Sequence, residues 1–148
     1  MAVKFKINTP VDVSITPANV TYTANDVIGG VLTFAPSASK GKIVAISISD
    51  NDGEGAALVL WLFSSITTTI ADDGAFAPVI ADLTAQLGKI TIASNDYVTV
   101  NSLKTAYIPL TIPIPFDGSF QGYLVDTAGS AWGASKTIAI RLHIEGES

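Results

Sequence analysis

Residues 56–92 read AALVLWLFSSITTTIADDGAFAPVIADLTAQLGKITI and open with the most apolar strand candidate of the chain, so the fold is built around them. In residues 57–63 both the odd and the even positions are apolar, so an extended segment there presents apolar side chains on both faces. A strand of this kind has to be covered on both sides. We expect the core of a two-sheet sandwich on one side, and a short helix, a loop or another subunit on the other.

The same stretch predicts one short helix, over about residues 79–87. Its apolar residues follow helical spacing, and Gly88 is the residue type that commonly ends a helix. A helix of about nine residues is not stable alone, so we expect Leu83 and Leu87 to pack it on the sheet. The chain then resumes as a strand over residues 89–93.

The rest of the chain consists of short apolar and polar alternations separated by turn residues, which is typical of antiparallel strands. The clearest alternation is the last one, over residues 137–144. Within the strand candidate 27–34, Gly29 and Gly30 predict a bulge or a close approach of the backbone. About eight to ten such strands with one inserted helix predict a mainly all-β fold, an antiparallel β-sandwich or jelly-roll-like barrel.

Two further segments carry positional information. The prolines of residues 107–115 are Pro109, Pro113 and Pro115, which share one parity, so the missing amides lie along one edge of the strand. We therefore expect this segment at the edge of a sheet. The sequence NDGEG, residues 51–55, predicts a hairpin loop into the central strand.

Length and composition limit the classes of protein. At 148 residues the chain is expected to form one domain, residues 11–148, preceded by a slightly basic arm, residues 1–10. The absence of cysteine excludes disulfides and thiolate metal sites.

A net charge of −5 without a basic run argues against nucleic acid as a partner. No apolar run reaches the roughly 20 residues of a membrane span and no signal peptide is visible, so we expect a cytoplasmic product without a membrane partner.

Charged residues make up only 14% of the chain, against about 25% in an ordinary soluble domain. Because charge is depleted at the centre of protein interfaces, this deficit favours an oligomer or a component of a lattice. The alternative is a monomer whose surface is rich in Thr, Ser and Ala.

The acidic loop invites a calcium interpretation, since Asp50, Asp52 and Glu54 have the spacing of the first ligands in an EF-hand loop. The twelfth position is Trp61 instead of the bidentate Glu, and a strand follows instead of a helix. A helix-loop-helix site is therefore excluded, and a plain turn is favoured over a weak cation site.

Two single residues remain to be interpreted. His143 is the only histidine and lies on an alternating strand, and no nucleophile-elbow motif is present, so we expect it to face solvent or an interface and not to act in catalysis. We expect no enzyme activity, no metal and no cofactor.

Trp132 lies in a loop of Gly, Ser and Ala, where a large ring could contact a partner, close the edge of the core or stack on a ligand.

Three stretches together resemble a known family: YTANDVIGGVLTF at 22–34, TIADDGAFAPVIADLTAQLGKITI at 69–92, and GYLVDTAGSAWGASKTIAIRLHI at 122–144. They are similar to small head decoration (cement) proteins of tailed bacteriophages, which are encoded near the major capsid protein. The resemblance spans nearly the whole chain after Pro10. It lies in turns and strands and includes no catalytic signature.

This resemblance implies a structural virion protein, often a homotrimer, that sits at symmetry axes on the capsid exterior and ties neighbouring capsomers together. The implied partners are the major capsid protein and further copies of the chain, and assembly would take place in the host cytoplasm. A carbohydrate-binding β-sandwich module of a phage tail or baseplate is the alternative. The residues least explained by the core are the expected interface: Lys4, Phe5, Lys6, Tyr107, Pro109, Pro113 and Trp132.

Overall fold

A computed structural model describes residues 3–148. Its elements in chain order are β1 (Lys6–Ile7), β2 (Val11–Ile15), β3 (Asp26–Phe34), β4 (Lys40–Asp50), β5 (Leu58–Phe63), α1 (Ile80–Thr84), β6 (Gln86–Ile92), a 3-10 turn (Ser94–Asp96), β7 (Val98–Val100), β8 (Leu103–Asp117), β9 (Phe120–Asp126) and β10 (Ile138–Glu147).

The strands form two antiparallel sheets. The six-stranded sheet has the order β1-β10-β4-β8-β7, with β2 also pairing with β10, and the four-stranded sheet has the order β3-β9-β5-β6. The strand orders β2-β10-β4-β8 and β3-β9-β5-β6 are those of a jelly roll, in which the chain crosses between the sheets at most connections and β5 and β6 are neighbours in one sheet. The predicted all-β antiparallel sandwich is therefore confirmed.

The main core lies between the two sheets and is built by the alternation of each strand. Leu60 of β5, Ile46 of β4 and Ile140 of β10 are buried there, together with aromatic residues at one end. The rings of Phe34 and Phe120 stack with centroids 5.2 Å apart. Because each buried aliphatic or aromatic side chain contributes about 1.5–3 kcal/mol, this layer dominates stability.

A second, smaller core covers the outer face of the four-stranded sheet. Phe63 and Tyr123 are buried there against apolar residues of the loop at 64–79. The Tyr123 hydroxyl donates to the Thr68 carbonyl at 2.7 Å and accepts from the Ile70 amide at 3.0 Å. The expectation that β5 is covered on both faces is confirmed, and the cover is a loop of the same chain. The two-faced strand therefore gives no argument for a second subunit.

The helix is shorter than predicted and does not pack through an apolar stripe. In α1 the side chain of Ile80 is 79% exposed, Leu83 is also exposed, and only Asp82 is buried. The Asp82 carboxylate accepts bonds from the amide and the hydroxyl of Thr67, at 2.6 and 2.9 Å. A polar contact to the covering loop therefore anchors the helix.

No helix within residues 3–148 is long and apolar enough to cross a membrane.

The predicted end of the helix at Gly88 is wrong. The helix ends at Thr84, and Leu87 and Gly88 already belong to β6, which pairs with β5 along its length. The apolar spacing of residues 85–88 fits a helix and a strand equally well, and pairing with the buried strand β5 decides between them.

The loop at 51–55 is also not a hairpin, because it leads from β4 in one sheet to β5 in the other. Asp50, which is buried, closes this loop by accepting bonds from the amides of Glu54 and Gly55, at 3.0 and 3.1 Å. Asp52 accepts a bond from the Gly133 amide at 2.8 Å. These two carboxylates thus hold loop backbone in place.

The proline-rich strand lies at an edge, as predicted. Within residues 3–148, strand β7 pairs only with residues 103–105 of β8, and beyond them β8 is paired with β4 alone. Pro109 is opposite Ala45 and Ile114 is opposite Ile43, so the intervening residues of β8 bulge outward and leave Ile112 81% exposed.

The predicted bulge at the two adjacent glycines is confirmed in β3. The pairing register with β9 shifts between Ile28 and Leu32, and Gly29 and Gly30 have φ of 82° and 71°. A side chain at Gly29 would also meet Ile15, so this position requires glycine for both its conformation and its space.

The bonded carboxylate of Asp82 predicts a loss of stability in acid. The Thr67 amide, with the Thr67 hydroxyl, holds the pKa of Asp82 below its ordinary value. A carboxyl whose pKa is lower in the folded than in the unfolded protein stabilises the fold fully when the pH is above the unfolded-state pKa. This stabilisation is lost as the pH falls through the lower, folded-state pKa. We expect Asp82→Asn to lose less stability than the wild type between neutral pH and about pH 3, measured by urea unfolding. Asp73→Asn, at an exposed turn, is the control and should keep the wild-type acid dependence.

Candidate functional site: the open face of the six-stranded sheet

The two sheets differ on their outer sides. The outer face of the four-stranded sheet is covered by residues 64–79, whereas both depressions of the surface described below lie on the six-stranded sheet. We call this outer side the open face. It consists of the outward side chains of β10 and of their neighbours on β2, β4 and β8: Asp12, Ser14, Lys40, Lys42, Ser47, Ser49, Thr105, Tyr107, Pro109, Ala139, Arg141, His143, Glu145 and Glu147.

One end of the open face is a charged depression of about 820 Å³. It is lined by Lys4, Lys6, Lys40 and Lys42, which are half of the eight basic residues of the chain. Lys4 pairs with Glu147 at 3.3 Å, and Lys42 pairs with a neighbouring glutamate at 3.6 Å. Four lysines face the three acidic lining residues, so this end carries a small positive charge in a chain whose net charge is −5.

The predicted N-terminal arm lies along this end as an edge strand. Lys6 and Ile7 pair with the last residues of β10. The Phe5 amide donates to the Ser148 hydroxyl and the Ser148 amide donates to the Phe5 carbonyl, both at 3.0 Å. The Phe5 side chain is nevertheless 63% exposed. The first two residues of the arm lie outside the described residues.

The middle of the open face holds a second depression of about 390 Å³ that contains one acidic and one basic side chain, Asp12 and Arg141. The Ser47 hydroxyl is 2.7 Å from His143 Nε2. Arg141 donates from Nε and Nη2 to the two carboxylate oxygens of Asp12, at 2.7 and 2.9 Å. The ring of Tyr107 lies edge-on against the imidazole, with centroids 5.4 Å apart.

The second depression contains an ion pair between Arg141 and Asp12, whose opposite charges cancel. The bidentate bond from Arg141 holds the pKa of Asp12 below its ordinary value, and the same bond raises the pKa of Arg141. Both side chains are more than half exposed, so the pair adds little to folding stability. What it provides is a fixed set of donors and acceptors on the sheet surface.

The contact between Ser47 and His143 was not expected from the sequence. Ser47 pairs with Arg141, and His143 pairs with Ala45 beside a bulge, so the two side chains are diagonal neighbours. Such a contact depends on register, which the local pattern does not reveal. Among residues 3–148 no carboxylate bonds to the other nitrogen of the imidazole, and the Asp12 carboxylate bonds to Arg141. The arrangement therefore lacks the third member of a catalytic triad.

The structure brings some of the predicted interface residues together and separates others. Lys4 and Lys6 meet at the charged depression, which also includes Pro115 of the proline-rich strand. Tyr107 and Pro109 lie together on β8, beside the second depression, and Pro113 belongs to the outward bulge of the same strand.

The expectation that Trp132 contacts a partner is wrong. Its side chain is 2% exposed and belongs to the main core, so the core alternative is the correct one. The loop folds back over the end of the sandwich, where the Trp132 amide donates to the Val20 carbonyl at 3.1 Å. Small residues on both sides of Trp132 allow this close return of the backbone.

No protein-family model and no curated protein matches the chain. Among solved structures, it is similar to a chain of the infectious bursal disease virus Gx strain, with 14% identity, a TM-score of 0.31 and coverage of 92% of this chain and 33% of the viral one. It is also similar to a family 6 carbohydrate-binding module, with 13% identity, a TM-score of 0.32 and coverage of 97% and 92%. A mutant of a family 29 carbohydrate-binding module gives 10% identity, a TM-score of 0.33 and coverage of 93% and 94%. The chain thus spans about a third of the viral chain, and we draw no functional conclusion from these similarities.

Proposed function

We propose that the protein is a structural virion protein, a capsid decoration or cement protein that binds the outer surface of a tailed-phage head and stabilises the contacts between capsomers. The observation that best supports this proposal is the charged depression. There the arm and the proline-rich strand, two of the segments least explained by the core, come together with four lysines.

The chemistry of this end favours an acidic segment of the major capsid protein as the partner. Lys6 and Lys40 have no carboxylate within ion-pair distance in residues 3–148, so both are free to bind one. The exposed ring of Phe5 adds apolar area beside them. Surface ion pairs are weak and screened by salt, so one such contact gives modest affinity.

In this proposal, repeated contacts between the copies of an oligomer and the capsid supply the remaining affinity. A homotrimer placed on a capsid lattice engages two or three identical contacts, and linked weak contacts can exceed a single one by about 10²–10⁴ in affinity. The low content of charged residues supports self-association, since charge is depleted in interface cores. The capsid exterior is then the working location of the protein.

Co-sedimentation with undecorated phage heads tests the proposal. We expect the wild-type protein to pellet with the heads and to raise the melting temperature of the shells. Combined Lys6→Glu and Lys40→Glu substitutions should weaken binding about tenfold or more, because each replaces attraction by repulsion. Lys104→Glu reverses one lysine on β8 outside the charged depression, half the charge change of the double substitution, and should bind as the wild type does.

Two results would contradict the proposal. Absence of co-sedimentation together with unchanged shell melting would exclude a cement function. If instead the protein bound but Lys104→Glu weakened it as much as the double substitution, the charged depression would not be the contact.

A further inference from the structure

We propose that the second depression of the open face binds a neutral saccharide through Ser47, His143 and the Arg141–Asp12 pair, and that the ring of Tyr107, which lies beside the depression against His143, is the platform for the sugar ring. This activity goes beyond capsid binding. It uses different residues from those of the charged depression and does not depend on that proposal.

The charge of the site favours a neutral ligand. Arg141 and Asp12 neutralise each other through two bonds of 2.7 and 2.9 Å. The other lining side chains with hydroxyl groups, Ser14, Ser47 and Ser49, carry no charge. The Asp12 carboxylate would repel an anion and the Arg141 guanidinium would repel a cation. An uncharged polyol is repelled by neither group.

The hydrogen-bonding capacity of the site matches a ligand rich in hydroxyl groups. Arg141 has five N–H donors and uses two of them on Asp12, whose oxygens keep further lone pairs. A sugar hydroxyl both donates and accepts, so it can bridge such a pair. Ser47 and His143 already hold each other at 2.7 Å, and preorganised side chains lose less conformational entropy on binding.

The exposed ring provides the apolar part of the site. Tyr107 is 64% exposed, is cross-strand neighbour to Ser47, and is held by its edge contact with the His143 imidazole. A saccharide has an apolar face of C–H groups beside its polar rim, and an aromatic ring next to polar groups fits both. The volume of about 390 Å³ lies within the range, about 300–1,000 Å³, of small-molecule sites.

The experiment is an array of immobilised neutral oligosaccharides, followed by calorimetric titration of the best binder. We expect the wild-type protein to bind at least one with millimolar or better affinity, and Tyr107→Ala to lose about tenfold or more. Phe5→Ala removes an equally exposed aromatic ring outside the depression and should leave the affinity unchanged. Asp12→Asn breaks the ion pair and should weaken binding as well.

An independent measurement keeps the test separate from any effect of the substitutions on folding. In ¹H–¹⁵N spectra of the wild-type protein, the titrated saccharide should shift the amide signals of Ser47, Tyr107 and His143. The proposal is overturned if no neutral saccharide binds the wild type, if Tyr107→Ala binds as tightly as the wild type, or if the shifted signals lie elsewhere.

Discussion

Truncation of Leu60 to alanine is expected to lower the free energy of unfolding by about 2–5 kcal/mol, which would leave little of the stability of a small domain. Leu60 is completely buried in β5. Its cross-strand neighbours are Ile90 on β6 and Leu124 on β9, which are also buried. Because strands flank the site on both sides, the sheet cannot collapse into the cavity, and the cost falls in the upper part of the range for such substitutions.

Urea unfolding followed by tryptophan fluorescence measures this effect. Ile112→Ala is the matched control, since it removes a similar aliphatic group from a side chain that is 81% exposed and should change stability by less than about 0.5 kcal/mol. If the two variants were equally stable, β5 would not be the centre of the main core.

The features of the fold that the sequence predicts are those set by residues close together in the chain, such as the pattern of apolar and polar residues along a strand. The apolar pattern of residues 57–63 requires cover on both faces, and the structure supplies it with the opposite sheet and the loop at 64–79. The alternation of β10, the paired glycines of β3 and the prolines of β8 were likewise sufficient to place a strand, a bulge and an edge. In each case the information lies in residues adjacent in the chain.

The features that the sequence does not predict depend on which strand lies beside which. A short turn between two strands looks the same whether it closes a hairpin or crosses between sheets, so the path from β4 to β5 is not visible at residues 51–55. Trp132 could not be assigned to the core without the return of its loop over the sandwich. The contact between Ser47 and His143 required the register of β4 and β10, which are far apart in the chain.

The polar face of the six-stranded sheet was therefore found only through the structure. Alternation indicates that Arg141 and His143 share one face of β10. It does not say that Asp12 and Ser47 stand opposite Arg141 on the two neighbouring strands, or that Tyr107 stands opposite Ser47 on the strand beyond. Outward polar residues of a strand are ordinarily solvated and carry no further meaning. Here the pairing of β2, β10 and β4 assembles them into a depression, and Tyr107 of β8 lies beside it.

Replacement of Tyr123 by alanine is the second substitution with a large expected effect, about 3–5 kcal/mol, because it removes a fully buried ring from the second core. The ring packs edge-on against Phe63 and Phe76, with centroids 6.2 and 5.9 Å apart. Its hydroxyl binds the backbone of Thr68 and Ile70. Tyr123 thus joins the sheet to the loop at 64–79 by both apolar and polar contacts.

The loop should consequently open before the sandwich unfolds. Limited proteolysis with an enzyme that cleaves at apolar residues should cut Tyr123→Ala within residues 64–79 under conditions in which the wild type resists. Tyr123→Phe is the matched control: it keeps the ring and loses the two hydrogen bonds, so we expect a cost of about 1–3 kcal/mol and an intermediate rate of cleavage. If the loop of Tyr123→Ala stayed as resistant as that of the wild type, the second core would not be what holds it on the sheet, and the contact between Asp82 and Thr67 would have to carry that role.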